Sequence, residues 1–340
     1  VEPVGDFFRS VRIAPNPAGL RRIDCAVPSP KGTIEVGLSF AGDEVFGTVT
    51  LPEGWSTHFT PPLEMTVLRH YMVDKDELAG WEEWNLRNRL LTKHKFPYRH
   101  SFGKWQERFL DSHPEYLGMD PHGKRGLPPR FANRVKLCLS NEAVVDQIVA
   151  DWCAAGTNAY LNICPNDGSL GYCHCEKCRG YSASDQQLLF ANRVVTELRK
   201  TIPDAQFCYL AYAGAINPPE KVEPAPGIFL EYAPIARDMG RPLADQKNDQ
   251  IKPLKALLAK FGAKGARVLE YWFDNSLYSR WTKPPRLFRP ANDVIASDVE
   301  YYRQLGFTDL SSFACYLGDD YESRWGSPDV SAFDRAAVEP

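Results

Sequence analysis

The chain has 340 residues, enough to bury a large core, and this length is typical of about two domains or of one large α/β barrel. Its 40 basic and 43 acidic side chains leave a net charge of −3, so the sequence lacks the basic excess of a nucleic-acid-binding protein. No apolar run reaches the roughly 18 residues of a transmembrane helix, so we expect no membrane span.

Residues 1–60 are predicted to form a small antiparallel β module. Residues 33–40 and 45–51 alternate between apolar and polar side chains, and Gly42 and Asp43 lie between them. This pattern is typical of a β-hairpin in which every second side chain faces the core. The dipeptide of prolines at 61 and 62 then marks the expected boundary of a second domain, which covers residues 61–340.

From residue 61 onwards, short apolar runs alternate with segments of helical periodicity, which predicts βα units around a parallel sheet. Eight strands are predicted, at residues 65–73, 96–102, 135–139, 159–164, 207–212, 228–233, 268–273 and 310–316. Helices are predicted at residues 81–91, 141–153, 184–200, 251–261 and 291–305. Eight strands that are mostly followed by helices indicate an α/β fold of the (β/α)8 TIM-barrel type. An open doubly wound sheet is the alternative, although no G-x-G-x-x-G motif follows the first strand.

Two acidic side chains are predicted to point into the barrel. Because alternate residues of a barrel strand face inwards, the pattern of strand six places Glu231 inside, and that of strand seven places Glu270 and Trp272 inside. Asp274 is next in phase at the carboxyl end of strand seven. A buried carboxylate is costly unless it is paired or used in chemistry. These residues are therefore candidates for function, with a buried ion pair as the alternative for the two glutamates.

The end of strand four brings a further carboxylate to the predicted barrel mouth. Cys164 and Asn166 share the inward phase, and Asp167 begins the following loop. Pro-Asn-Asp-Gly at residues 165–168 is also strong turn chemistry, so a purely structural turn is the alternative to a catalytic or sugar-binding role. His100, at the end of strand two, is a candidate substrate-binding residue because barrel enzymes place their sites at this end.

A cysteine-rich loop follows this turn with the spacing C-x-C-x-x-C, at Cys173, Cys175 and Cys178. Three thiolates at this spacing can bind zinc, with His174 or Cys164 as the fourth ligand. Disulfides are the alternative if the protein is exported, and free thiols are the third interpretation. In the first two cases we expect a structural role, because the clamped loop then holds Asp167 in place. Cys138 and Cys164 are predicted to point inwards from adjacent strands, where they could pair with each other.

Several short motifs occur in a fixed order along the predicted barrel. They are HPEY at 113–116, LCLSN at 137–141, PNDG at 165–168 and the cysteine motif at 173–178. In this order the motifs resemble a family of uncharacterised, glycoside-hydrolase-like barrel proteins that is distantly similar to the α-glucuronidases. The resemblance covers residues 65–335 and implies a TIM barrel, a carbohydrate-related role and a periplasmic or secreted location, although no signal peptide is visible in this chain. Residues 28–40 resemble the C-terminal β-domain of α-L-rhamnosidases.

The expected reaction is glycoside hydrolysis, which needs two carboxyl groups on either side of the scissile bond. By analogy with barrel glycosidases that take these groups from strands four and seven, Asp167 is the expected acid and Glu270 the nucleophile or base, with Glu231 as a third candidate. The expected substrate is an oligo- or polysaccharide, and no cofactor is expected for catalysis. The side chains predicted to bind this substrate are His100, Asn166, Tyr212, Trp272, Asp274 and Tyr316. The alternative is a non-catalytic carbohydrate-binding barrel whose cysteine loop is clamped by zinc or disulfides.

Overall fold

The computed structural model describes residues 2–4, 10–13, 20–41, 44–59, 65–69, 100–154, 160–161, 164–247, 249 and 251–333. Contacts between Cα atoms divide the chain into two compact units. The first unit contains Val1–Lys93 and Tyr271–Pro340, and the second contains His94–Glu270. The predicted helix at 81–91, most of predicted strand two and the predicted domain boundary at 61 and 62 lie outside the described residues.

The N-terminal part of the first unit is rich in β-strands. They are β1 (Glu2–Val4), β2 (Ser10–Ile13), β3 (Arg22–Ser29), β4 (Gly32–Ala41), β5 (Glu44–Thr50), β6 (Ser56–Phe59) and β7 (Met65–Arg69). β2 pairs with β1 antiparallel and with β6 in parallel, whereas β3, β4 and β5 form an antiparallel sheet that contains the predicted hairpin. Alternation along β4 turns Ile34, Val36 and Leu38 to one buried face, where they pack with Val11 and Ile13.

The second unit is built on a parallel sheet. Its elements are α1 (Trp105–Phe109), α2 (Glu142–Ala154), β8 (Tyr160–Leu161), α3 (Ala183–Leu198), β9 (Gln206–Ala211), β10 (Ile228–Tyr232), α4 (Leu254–Phe261) and β11 (Arg267–Glu270). β8, β9, β10 and β11 pair in parallel and in this order. Nearly all residues of β9 and β11 are buried, as is typical of a parallel sheet that is covered on both faces.

A large apolar core supports this sheet. α3 begins after the N-cap residue Ser182, whose hydroxyl accepts a hydrogen bond from Asp185 N at 3.0 Å. Its apolar residues then recur at helical spacing, so one face of the helix packs on α2 and on β9. Each large apolar side chain buried there contributes roughly 1.5–3 kcal/mol to the free energy of unfolding. Members of this core include Phe102, Val144, Ile148, Phe190, Val194 and Phe207.

The C-terminal part of the first unit adds helices and one more parallel strand. These are α5 (Asn275–Tyr278), α6 (Asn292–Gln304), β12 (Asp309–Phe313) and α7 (Asp319–Trp325). β12 pairs in parallel with β7, with Asp309 opposite Met65. The fold is therefore a mixed α/β fold with parallel strands, as the sequence predicts, and no closed ring of strands is formed within the described ranges. Among the described helices, none has the length and apolar character that a membrane span requires.

The prediction of a third strand at residues 135–139 is wrong. Leu137 forms only an isolated antiparallel bridge with Leu117, whereas His100 forms a parallel bridge directly with Cys164. The end of predicted strand two, at His100, therefore lies beside the end of predicted strand four, at Cys164. Two backbone hydrogen bonds of 2.8 Å flank the bridge at Leu137 and hold this extended segment outside the parallel sheet. The alternation of apolar side chains is the same in such a segment as in a strand, so the pattern does not distinguish them.

Candidate functional site

The turn at residues 165–168 is fixed by its own asparagine. Asn166 is 3% exposed, and its side-chain oxygen accepts a hydrogen bond from Phe102 N at 3.0 Å while its side-chain nitrogen donates to Val135 O at 2.7 Å. Gly168 has a φ of +75°, a left-handed conformation that favours glycine. Substrate binding by Asn166 stays a prediction, because its amide here joins three backbone segments.

Asn166→Leu is expected to lower the free energy of unfolding by about 2–4 kcal/mol, because it leaves a buried N–H and a buried C=O without their partner. Urea unfolding measures this change. Asn192→Leu is the matched control, since Asn192 also bonds backbone through both side-chain atoms but lies partly exposed, so water can replace it. Equal losses in the two variants would contradict the structural role assigned to Asn166.

The backbone of the turn binds a lysine, Lys136, that the sequence analysis did not identify as a candidate. Lys136 is buried, and its ammonium donates to the backbone oxygens of Asn166, of Asp167 at 3.1 Å and of Gly168 at 2.9 Å. Burial lowers the pKa of Lys136 to about 8, although the Asp167 carboxylate acts in the opposite direction. Lys136 shares the inward phase of Cys138, so the alternation of side chains could have identified it.

Asp167 is the carboxylate that this turn presents. Its side chain is partly exposed, and its Oδ1 accepts a hydrogen bond from the Tyr212 hydroxyl at 2.9 Å. Tyr212 follows the last residue of β9, which is the parallel neighbour of β8. Both side chains therefore lie at the carboxyl ends of neighbouring parallel segments, which is the edge where α/β sheets bind ligands. The structure thus brings together two of the residues predicted for the site.

His100 lies at the same edge. Its Nδ1 is 2.7 Å from Pro165 O, and because a carbonyl oxygen only accepts, Nδ1 carries the hydrogen and donates it. Burial lowers the pKa of His100 below its ordinary value of 6.5, against the opposing effects of this hydrogen bond and of Asp167. The imidazole is therefore neutral at neutral pH and lies close enough to the Asp167 carboxylate to interact with it electrostatically.

The lowered pKa of His100 predicts a loss of stability on acidification. In the pH range just below 6.5 the unfolded state binds more protons than the folded state, so the contribution present above 6.5 is lost as the pH falls. In His100→Asn the side-chain amide can still donate to Pro165 O but does not titrate. Measured between about pH 5 and 7, the wild-type protein should lose stability relative to His100→Asn; a relative gain would contradict the prediction.

Glu270 and Glu231 are both completely buried. Glu270 accepts a hydrogen bond from Arg237 Nη1 at 2.8 Å, and both of these side chains are 0% exposed. Glu231 lies in a second buried group with Cys164 and Cys208, in which the sulfur and carboxylate atoms are within 4.8 Å of one another. The contacts of Glu270 favour a buried ion pair over direct substrate contact, and the catalytic roles of both glutamates stay predictions.

Three residues predicted to bind substrate belong to the first unit. Trp272 is 3% exposed, and its indole nitrogen donates to Asp298 at 2.9 Å. Asp274 caps α5 by accepting a backbone hydrogen bond of 3.0 Å, and burial raises its pKa. Tyr316 is partly exposed, with Lys283 Nζ 5.2 Å from its ring centroid. The contacts of Trp272 and Asp274 serve the fold, whereas the ring of Tyr316 remains accessible to a ligand.

The loop cysteines form a compact cluster, but their fourth partner differs from the residues predicted. Cys138 Sγ lies 3.6 Å from Cys173 Sγ and 3.8 Å from Cys175 Sγ. With Cys178, these sulfurs all lie within 4.8 Å of one another. His174 is exposed and does not belong to the group. The four thiols are therefore able to bind a metal ion together, and the prediction of His174 as a ligand is wrong in this arrangement.

Cys164 is not the fourth ligand either. Its sulfur lies 3.5 Å from Cys208 Sγ, and both residues are buried in the second unit. The predicted contact between Cys138 and Cys164 is wrong, because it required residues 135–139 to form a strand next to Cys164 and they do not form one. Cys164 forms an isolated parallel bridge with His100, whereas Cys138 lies in the extended segment whose own bridge joins Leu137 to Leu117.

Residues 47–320 match the family model described as a domain of unknown function, DUF4838. No curated protein and no solved structure matches the chain. Since the match covers more than half of the sequence, and includes the Asp167 turn and the cysteine cluster, the chain belongs to the DUF4838 family.

Proposed function

We propose that this protein is a carbohydrate-active hydrolase that cleaves a glycosidic bond at the site around Asp167. The observation that carries the proposal is the Asp167 carboxylate, held at 2.9 Å by the Tyr212 hydroxyl at the carboxyl end of parallel segments. Lys136 and His100 bind the backbone of the same turn, so the carboxylate has a rigid support. Its partial exposure gives a substrate access to it.

We also propose that the parallel strands belong to a TIM-type barrel in which residues 135–139 lie outside the ring. The parallel pairing of β7 with β12, and of β8 through β11, supports this proposal. Barrel enzymes build their active sites at the carboxyl ends of the strands, and Asp167 and Tyr212 occupy such positions.

In the proposed reaction, Asp167 donates its carboxyl proton to the glycosidic oxygen as the bond from that oxygen to the anomeric carbon breaks. A second carboxyl group either attacks the anomeric carbon or activates a water molecule. If the second group attacks, water then displaces it from the anomeric carbon and gives a proton back to Asp167. If it acts as a base, it takes one proton of the water whose hydroxyl bonds to the anomeric carbon, and proton exchange with solvent then restores both carboxyl groups. Glu270 is the proposed second group, with Glu231 as the alternative, and both need a local rearrangement to reach substrate because both are buried.

The cysteine cluster has a structural role in this proposal, and the reaction needs no cofactor. The four thiols would hold a zinc ion that clamps the loop following Asp167. The proposed substrate is an oligo- or polysaccharide, and the proposed location is periplasmic or secreted.

An assay of new reducing ends on a panel of oligo- and polysaccharides tests the proposal. We expect hydrolysis by the wild-type chain and its loss in Asp167→Asn. The assignment of the two carboxyl groups is wrong if Asp167→Asn and Glu270→Gln both hydrolyse the accepted substrate at the wild-type rate.

A non-catalytic carbohydrate-binding protein is the second candidate. The complete burial of Glu231 and Glu270 favours it, because hydrolysis requires two carboxyl groups that reach the substrate. This candidate predicts that a saccharide binds in calorimetry while no new reducing ends appear, whereas the hydrolase predicts both binding and turnover.

A further inference from the structure

We infer that Cys138, Cys173, Cys175 and Cys178 form a closed zinc site that holds the turn of Asp167 in position. The site joins the C-x-C-x-x-C loop to a cysteine that lies 35 residues before Cys173 in the chain. Binding of the metal is independent of the proposed hydrolase activity, and only the importance of the Asp167 turn rests on that proposed function.

Two sulfur–sulfur distances in the cluster match those of a tetrahedral zinc site, and all four sulfurs lie within 4.8 Å of one another. Four thiolates that each lie about 2.3 Å from zinc at the corners of a tetrahedron are roughly 3.8 Å apart. The sulfur of Cys138 lies 3.6 Å from that of Cys173 and 3.8 Å from that of Cys175. Soft, tetrahedral sulfur sites select zinc or iron over magnesium and calcium. A metal ion would therefore enter this cluster with little movement of the side chains.

The same distances do not favour disulfides. A disulfide joins two sulfurs at about 2.05 Å and so pairs thiols two by two. Cys138 instead has two sulfur neighbours at nearly equal distances, Cys173 and Cys175. One shared centre accounts for this arrangement, whereas a pairwise bond does not.

The surroundings of the cluster suit a structural metal. Cys138, Cys173 and Cys178 are buried and Cys175 is partly buried, so four thiols leave no coordination position open to water, unlike a catalytic zinc site. A Zn²⁺ ion with four thiolates has a net charge of about −2, which nearby donors must stabilise. The Arg125 guanidinium, whose Nη1 donates to Leu117 O at 2.6 Å, lies close enough to Cys138 to interact with it electrostatically and supplies positive charge.

Neutral donors and a buried glutamine complete this environment. Met119 N donates to Cys173 Sγ at 3.4 Å. Gln186 of α3 holds the loop backbone, since its Oε1 accepts from Cys173 N at 3.0 Å and its Nε2 donates to Cys173 O at 3.1 Å and to Tyr181 O at 3.2 Å. The loop is thus fixed on the helix by bonds that do not involve a metal, which prepares its sulfurs for coordination.

The cysteine cluster is connected to the Asp167 turn in two ways, through the segment that contains Lys136 and Cys138 and through the loop from Gly168 to Cys173. Cys138 is two residues from Lys136, whose ammonium binds the backbone oxygens of Asp167 and Gly168. Cys173 lies five residues after Gly168. The segment that carries Lys136 and Cys138 is therefore attached to the loop twice, once by the ammonium and once by the metal. Loss of the metal would free the position of Lys136 relative to the turn.

Metal analysis of the purified full chain tests the ligand set. After expression with zinc supplied and dialysis against metal-free buffer, we expect about one zinc per chain in the wild type. His174→Ala should retain this zinc and Cys138→Ser should lose it. A wild-type chain without zinc, or one that binds iron instead, would overturn the proposal, and so would zinc that is retained in Cys138→Ser but lost in His174→Ala.

A second measurement on the wild-type chain keeps the test decisive if Cys138→Ser does not fold. Thiol alkylation followed by peptide mass spectrometry compares the zinc-bound chain with the chelated chain. We expect Cys138, Cys173, Cys175 and Cys178 to be protected together until the metal is removed. Protection that includes only the three loop cysteines would overturn the assignment of Cys138.

Hydrogen exchange tests the link to the Asp167 turn separately. On removal of zinc by a chelator, exchange should become faster in residues 166–178 and should not change in α4. Unchanged exchange in residues 166–178 of a chain that has lost its zinc would overturn the link. This result would leave the hydrolase proposal untouched, because that proposal is tested by turnover and not by metal content.

Discussion

Arg237→Met is expected to lower the free energy of unfolding by about 3–5 kcal/mol, the usual cost of removing one partner of a buried ion pair. Arg237 and Glu270 are 2.8 Å apart, and both side chains are 0% exposed. Methionine fills much of the space of the arginine but leaves the charge of Glu270 buried without this guanidinium. Urea unfolding monitored by circular dichroism measures the difference.

The exposed pair between Lys252 and Asp249 provides the matched control. Its side chains are 65% and 93% exposed, so Lys252→Met should change the free energy of unfolding by less than about 1 kcal/mol. The double variant Arg237→Met with Glu270→Gln should be more stable than Arg237→Met alone, because neither charge then remains buried. If Arg237→Met costs no more than Lys252→Met, the buried ion pair does not stabilise the fold and Glu270 is available for another role.

Asp167→Asn is expected to reduce kcat on an accepted saccharide by about 10²–10⁴-fold, the range lost when a general acid or base is removed. The amide oxygen of asparagine can still accept the hydrogen bond of 2.9 Å from Tyr212, so the turn should keep its shape. The loss should therefore appear in turnover while the thermal midpoint changes little. Steady-state kinetics and thermal unfolding of the same preparation measure both quantities.

Two further variants sharpen this prediction. Asp204→Asn changes the same chemical group at an exposed position away from the turn and should leave kcat unchanged. Tyr212→Phe removes the hydroxyl that holds Asp167 and should lower kcat/KM by roughly 3–10-fold, since one hydrogen bond is worth about 1 kcal/mol. A loss of turnover in Asp204→Asn as large as that in Asp167→Asn would show that the effect is not specific to the site.

Helices were the elements that the sequence predicted best. The predicted helices at residues 141–153 and 184–200 correspond to Glu142–Ala154 and Ala183–Leu198. Their signals are local, because apolar residues recur at helical spacing and Ser182 provides an N-cap immediately before the second helix. No information from distant parts of the chain is needed to recognise them.

The predicted third strand fails because its pattern is shared by two structures. Apolar residues alternate from 135 to 139 both in a barrel strand and in the observed segment, which pairs only at Leu137 with Leu117. A barrel strand and the observed segment differ in what the intervening side chains, Lys136 and Cys138, contact. Lys136 reaches the Asp167 turn and Cys138 reaches the loop sulfurs, and these long-range contacts are not encoded in local periodicity.

The candidate site could be predicted only in part, because it also depends on contacts between distant parts of the chain. Asp167 is predicted from its position directly after strand four, and the structure places it beside Tyr212, a predicted substrate-binding residue. The fourth thiol, that of Cys138, could not be predicted, because the spacing within residues 173–178 identifies the loop but not the distant segment that contacts it. Glu270 was correctly expected to be buried, but its partner Arg237 comes from a loop with no recognisable pattern.

The central claim is that Asp167 acts on the glycosidic oxygen of a bound saccharide. A crystal structure of Asp167→Asn, soaked with an oligosaccharide that the wild-type chain hydrolyses, tests it most directly. We predict that the side chain at position 167 lies within hydrogen-bonding distance, about 2.6–3.2 Å, of a glycosidic oxygen, with Tyr212 still bound to it. A saccharide bound elsewhere, or bound with its glycosidic oxygens out of reach of this side chain, would contradict the account.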